Sequence, residues 1–308
     1  MQLSLFSVEN KSKELYRKNL AAFNLQKAIS ELKLWHRSVD APENLELKMQ
    51  AVQFILDNLT RQPQNNLLFL AHLYQNAHQV KEVEPLLEDW RFLKKGLIRA
   101  LADLLIKNEQ FDFISEDLSP AEIFLLNSQF EETVRVVEKY VSSFGENAYL
   151  RQLQAAAYFK LNDEKQSRIC YTLALFNDPR RCRPEYFWPR AFKNKMLYLQ
   201  NKFPDAQQAL LHITFSLWED GHLYLEPENT TFKAFIQEKI AAAADKHLAA
   251  EESFLLFLHY LYLAEVERLS NFSKEPTPDL EALRQKMQSI NKGWYQRYET
   301  SLLKFHML

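Results

Sequence analysis

Glycine is nearly missing from this chain, with 4 in 308 residues. Tight β-hairpins draw on glycine for backbone angles that other residues take only at a cost, so the shortage argues against a sheet protein and for a helical one. Cysteine is scarcer still. Cys170 and Cys182 stand alone, too few for a disulfide framework at this length, and they read as reduced thiols in the cytoplasm. No apolar run reaches bilayer length. The most apolar stretch, FLLFLHYLYL at 254–263, is broken by His259 and reads as a buried core helix rather than a membrane segment. No charged stretch leading into an apolar run opens the chain, so no secretory signal is expected. Neither sign of charge dominates. The net charge of −2 opposes a globally basic nucleic-acid binder and leaves room for a local basic patch.

Motifs that carry chemistry are lacking too. There is no glycine-rich phosphate loop, nucleophile elbow or His-Glu-x-x-His. The spacing of His72 and His78 does not put them on one helical face, and a turn at Asp220-Gly221 separates His212 from His222. His247 and His259 lie in an alanine- and leucine-rich region and read as surface or core residues. No catalytic residue, metal or cofactor is expected. An enzyme that needs no short motif stays open as a third class of function.

What is present is helical periodicity, clearest in residues 146–180. Leu150, Leu153, Ala157 and Leu161 recur at three- and four-residue steps, the mark of one buried helical face. Asn162-Asp163 supplies a stop and a cap for the next helix. Ile169, Leu173 and Ala174 resume the period. Ala155 and Ser167 are small, as a close helix crossing demands, while Tyr158 and Tyr171 fill the space around it. Pro179 closes the unit.

At these positions the chain resembles the tetratricopeptide repeat family, which spaces a small residue, an aromatic, a second small residue, a second aromatic and a closing proline in the same order. Ala121, Phe124, Thr133 and Val137 repeat the pattern one family period earlier, with Gly145 in the place of Pro179. Leu197, Phe203, Ala206, Leu210 and Ile213 follow in matching order after a short insertion around 180–184. Ala71, Tyr74, Val83 and Leu87 echo the same offsets. The family's usual Trp and Leu are here Arg151 and Gln154. The resemblance covers residues 119–218. It implies an all-α fold: a right-handed α-α superhelix, a solenoid of helical hairpins with atypical N- and C-terminal parts. It also implies an inward face for binding a protein or peptide, made here by Tyr149, Gln152, Ala156 and Phe159, and one hairpin earlier by Ser115, Leu118, Glu122 and Leu125. These positions lack the Lys and Asn set that holds acidic tails, so an apolar or mixed peptide is expected.

The expected division is an N-terminal peptide at 1–7, a helical region at 8–111, the repeats at 112–220 and a helical cap at 221–308. Residues 7–37 read as one helix or two, with Ser7 as N-cap. Asp40-Ala41-Pro42 marks a new start, and Pro85 either kinks a helix or begins one. Beyond Trp218, helices are expected at 230–244, 251–269 and 280–290, the last ended by Gly293.

Two stretches suggest partners. Gln2, Leu3, Ser4, Leu5 and Phe6 resemble the bacterial sliding-clamp-binding pentapeptide at all five positions. That resemblance implies an extended peptide whose Gln makes polar contacts and whose Leu-Phe pair enters an apolar pocket of the DNA polymerase sliding clamp. The other reading, which takes precedence, folds Leu3, Leu5 and Phe6 back onto the first helix as a hydrophobic staple or a terminal strand. The other stretch, RRCRPEYFWPRAFKNK at 180–195, sets Arg180, Arg181, Arg183, Arg190, Lys193 and Lys195 among Tyr186, Phe187, Trp188 and Phe192. Guanidinium groups pair with phosphates and aromatic faces stack on bases, so single-stranded nucleic acid is one reading. The other, which takes precedence, has the aromatics packing under a repeat while the basic heads stay in water. The function expected is therefore an interaction scaffold recruited to the clamp, with a nucleic-acid-binding repeat protein as the alternative.

Overall fold

The computed structural model describes residues 3–37, 43–243, 248–271 and 276–306, with side chains described between 11 and 303. The expected start at Asp40-Ala41-Pro42, together with Gln2 and His247, lies outside the described residues. Fifteen α-helices form among the described residues, and no strand does. An isolated bridge between Ser115 and Leu118 is the sole extended pairing described. The fold is all-α. Among the described residues, no helix is long and apolar enough to cross a membrane.

The chain divides into two compact units, Met1–Gln129 and Phe130–Leu308. The first holds α1 (Leu3–Ala21), α2 (Leu25–His36), α3 (Leu45–Arg61), α4 (Asn66–Asn76), α5 (Trp90–Lys107) and α6 (Pro120–Leu126). The second holds α7 (Phe130–Phe144), α8 (Ala148–Lys160), α9 (Glu164–Asn177), α10 (Arg190–Lys202), α11 (Ala206–Glu219), α12 (Thr230–Ala243), α13 (Ala250–Ser270), α14 (Pro278–Ile290) and α15 (Lys292–His306). The division falls between Gln129 and Phe130. One apolar core runs from Ala155 through Trp218 to Leu302.

In the first unit α1 packs on α2 and α5, and α3 on the 3-10 segment Lys81–Asp89. α1 starts at Leu3, so Ser7 lies inside it rather than capping it. Nothing in Leu-Ser-Leu-Phe breaks a helix, and the ladder runs on through Ser7. Pro85 neither kinks an α-helix nor starts one. It sits within the 3-10 segment, and α5 begins only at Trp90. A buried charge cluster closes this region. Asp89 accepts from Arg17 of α1 at 2.8 Å and from Lys48 of α3 at 2.9 Å, and Lys48 also reaches Glu88 at 2.9 Å. Burial alone would raise the Asp89 carboxyl, but hydrogen bonds and charge from Lys48 and Arg17 outweigh it and hold the group below its ordinary value.

In the second unit α8 and α9 form the tightest pairing. Asn162 takes the left-handed conformation at φ 61°, which short polar side chains tolerate, and Asp163 caps α9 by accepting from the Gln166 amide at 3.0 Å. α13 runs through the core, packed by α9, α11, α12 and α14. Its buried Glu265 accepts from Tyr298 Oη at 3.0 Å and Trp218 Nε1 at 3.3 Å and pairs with Arg268 at 2.8 Å. Asn291, not Gly293, marks the end of α14. Its Oδ1 accepts from the Trp294 amide at 3.0 Å, and Gly293 lies in the first turn of α15.

At Gly96 the backbone of α5 comes close against the end of α1. A Cβ there would overlap the carbonyl oxygen of Leu20 and press on Phe23. Helix propensity favours alanine over glycine by about 1 kcal/mol. Even so, Gly96→Ala is expected to lower stability by about 1–3 kcal/mol, because two backbones must part. A melting temperature equal to or above the parent's would show that the approach is loose.

Candidate functional site

The positions expected to line an inward face are mostly covered. Tyr149, Gln152 and Ala156 of α8 are buried, and Phe159 is half-buried. The cover over Gln152 is the chain's own insertion after α9, which runs through 3-10 turns at Pro179–Arg181 and Pro184–Tyr186. The Gln152 amide grips it at two points: Nε2 donates to the Arg183 carbonyl at 2.8 Å, and Oε1 accepts from the Arg183 amide at 2.7 Å. The Arg183 guanidinium lies over the Tyr149 ring at 4.4 Å. Tyr171 completes the grip. Its buried hydroxyl donates to the Tyr186 carbonyl at 2.6 Å and accepts from the Trp188 amide at 3.2 Å. In the first unit Leu118, Glu122 and Leu125 are also buried, and the Ser115 hydroxyl donates to Gln75 at 3.2 Å. At Gln152 the insertion is long enough to fold back over the side chain.

The basic-aromatic segment divides by chemistry. Tyr186, Phe187 and Phe192 are buried, with the Phe187 and Phe192 rings 5.9 and 4.8 Å from Tyr171. Their faces serve packing. Trp188 is half-exposed, with its indole N–H on the Glu185 carbonyl at 3.1 Å and the Lys160 ammonium over its ring at 4.9 Å. Arg180 is held by Asp178 at 2.9 Å and Glu252 at 2.6 Å, and Lys195 by Asp220 at 2.5 Å. Arg181, Arg190 and Lys193 are exposed. The segment thus brings its aromatics together in the interior and disperses its cations.

Residues 3–6 form the first turn of α1, and their side chains lie outside the described residues. Both thiols are buried and free. Burial pushes Cys170 up to about 12 and Cys182 higher, so neither offers a thiolate nucleophile near neutral pH. Cys170 Sγ donates to Gln154 at 3.4 Å. His212 stacks on Phe203 with ring centres 4.5 Å apart. His259 Nε2 lies 3.3 Å from the Asn177 carbonyl. A carbonyl can only accept, so Nε2 carries the hydrogen of a neutral ring.

Gln152 as a backbone clamp and Tyr171 as a hydrogen-bonding anchor were not legible as such. Their spacing marks them as face and filler, and only the returning insertion gives their polar atoms partners. In comparisons with known proteins, no family model, curated protein or solved structure matches this chain.

Gln152→Leu is expected to cost about 2–4 kcal/mol in urea unfolding, because two backbone groups of Arg183 lose their partner. A change below about 0.5 kcal/mol would mean that water replaces the amide freely.

A second expectation concerns pH. Burial lowers His259 from 6.5 to about 4, so below pH 6.5 the unfolded chain takes up a proton that the folded chain refuses. The contribution is full above pH 6.5 and is lost as pH falls from 6.5 toward 4, by up to about 3 kcal/mol. His259→Gln keeps the donor and removes the titration. Unfolding free energies between pH 7 and 4.5 should show a shallower decline in that variant, and parallel declines would contradict the assignment.

Proposed function

We propose that this chain is a protein–protein interaction scaffold, a tetratricopeptide-like array of helical hairpins recruited to the replication sliding clamp through Gln2, Leu3, Ser4, Leu5 and Phe6. The observation that carries the reading is the match at all five pentapeptide positions. Support for the array comes from residues 146–180, where the spacing of Ala155, Tyr158, Ser167, Tyr171 and Pro179 follows the family order. Cytoplasmic residence follows from the same reading, since the clamp and its DNA lie there.

Extended docking requires the first turn of α1 to unwind. A terminal turn opens at little free-energy cost, since its first amides have no partners within the helix. Leu5 and Phe6 then supply the burial, each worth about 1.5–3 kcal/mol when fully removed from water. Ordering the peptide offsets part of that gain, so binding is weak and exchangeable. The helix-A positions are occupied at Tyr149, Gln152 and Ala156. The array therefore presents its partner with outer surfaces, among them exposed Leu197 and Tyr198 of α10.

Leu5→Ala with Phe6→Ala should abolish binding to purified clamp while leaving the melting temperature nearly unchanged. Titration of clamp into parent and variant, with thermal melts alongside, makes the test. No binding by the parent at high micromolar clamp, or a large loss of stability in the variant, would sink the clamp reading.

A further inference from the structure

A cationic groove lies in the first unit, apart from the stretches so far read as binding segments. It encloses about 540 Å3 between α1 and α5, lined by Arg17, Lys18, Arg91, Phe92, Lys95 and Arg99, with Glu14 its single acid. Arg91, Lys95 and Arg99 fall at every fourth position of α5, so they rise from one stripe at steps of about 6 Å. Lys18 contributes from α1. All four are exposed, and none is paired with a carboxylate among the described residues. The backbone approach at Gly96 sets the two helices at a fixed close distance, which holds the cations from both in one surface.

Like charges four apart on a helix oppose one another. A row of three with no acidic partner gives nothing to the fold, and its spacing suits an extended polyanion. We propose that this groove binds the phosphate backbone of duplex nucleic acid without reading its sequence. The row spans about 12 Å, more than one phosphate needs. Two of its three members are arginine, whose planar fork fits phosphate oxygens. The apolar lining of the groove is limited to Ala21, Ala22 and Phe92. Arg17 is tied to Asp89 at 2.8 Å, and its guanidinium lies over the Phe92 ring at 5.2 Å. Phe92 is thus covered on that face, and the two alanines are too small to form the deep apolar pocket an acidic peptide uses for anchoring or the stacking platform a single strand uses. Charge aimed at a regular backbone is what remains. The groove's lining includes no residue of 2–6 or 180–195, and the inference stands whether or not the chain binds a clamp.

Fluorescence anisotropy with a labelled mixed-sequence DNA duplex and the full chain tests it. Binding should weaken steeply between about 50 and 200 mM salt, with a log–log slope near −3 to −4 for four cations. Arg91→Gln with Lys95→Gln and Arg99→Gln should weaken binding by at least ~10-fold and flatten that slope by roughly 2.7. Arg91→Lys with Arg99→Lys keeps the charge and should keep the slope. Arg181→Gln with Arg190→Gln and Lys193→Gln should leave binding as in the parent. Three results overturn the proposal: no duplex binding at about 50 mM salt, a slope untouched by the groove variant, or loss of binding in the variant at 181, 190 and 193 instead. Polyglutamate bound as tightly as the duplex would also overturn it, by making acidic protein the ligand.

Discussion

One buried hydrogen bond fixes the geometry on which the second unit depends. The Ser167 hydroxyl of α9 donates to the Ala155 carbonyl of α8 at 2.8 Å, and both residues are buried. A hydroxyl can reach a neighbouring helix's carbonyl only when the two backbones nearly touch, which small side chains at both positions allow. That approach places Tyr171 one turn further along α9, where its hydroxyl meets the returning insertion at Tyr186 and Trp188. It also places Gln152 on α8, where its amide takes both backbone groups of Arg183. A larger residue at 155 or 167 would separate the helices and strand those polar groups together.

Polar atoms recur in the interior in a consistent way. Arg151 and Gln154 stand where the resembled family has an indole and a leucine. Arg151 donates to Glu146 at 2.8 and 2.6 Å and to Gln154 at 2.8 Å, and Gln154 accepts from Cys170. Asp89 and Glu265 hold comparable positions in the two units, each a buried carboxylate gathering donors from different helices. Such groups add little net stability, because desolvation offsets the attraction. They do penalise any packing that leaves a partner behind, so they select one helix arrangement over its neighbours.

Helix positions were largely legible from apolar period, caps and prolines, because these act over one or two turns of chain. The pairing of α8 with α9 was legible from Ala155, Ser167 and the Asn162-Asp163 turn for the same reason. Legibility failed where a local signal was permissive rather than forcing. Ser7 can cap a helix, yet nothing before it ends one. Gly293 can stop a helix, yet Asn291 two residues earlier ends α14 and caps the next. Pro85 signals a break, but whether the chain kinks, restarts or tightens to a 3-10 turn depends on what packs against Val83 and Leu86, both buried.

The sequence by itself determined that this chain is all-α, that its hairpin at 146–180 closes on small residues, and that residues 2–6 and 180–195 are chemically distinctive. Those properties reside in side chains and spacings within a few turns. Only the tertiary structure decided which distinctive residues are accessible. Tyr186, Phe187 and Phe192 turn inward, and Arg180 and Lys195 meet acids. Gln152 is consumed by the insertion, whereas Arg91, Lys95 and Arg99 stay open to water. Each outcome rests on contacts between residues far apart in the chain: Arg180 with Glu252, Gln152 with Arg183, and α1 with α5 at Gly96. A pattern of local periods cannot encode which distant segment arrives to cover a face, and that arrival separates a binding surface from a core.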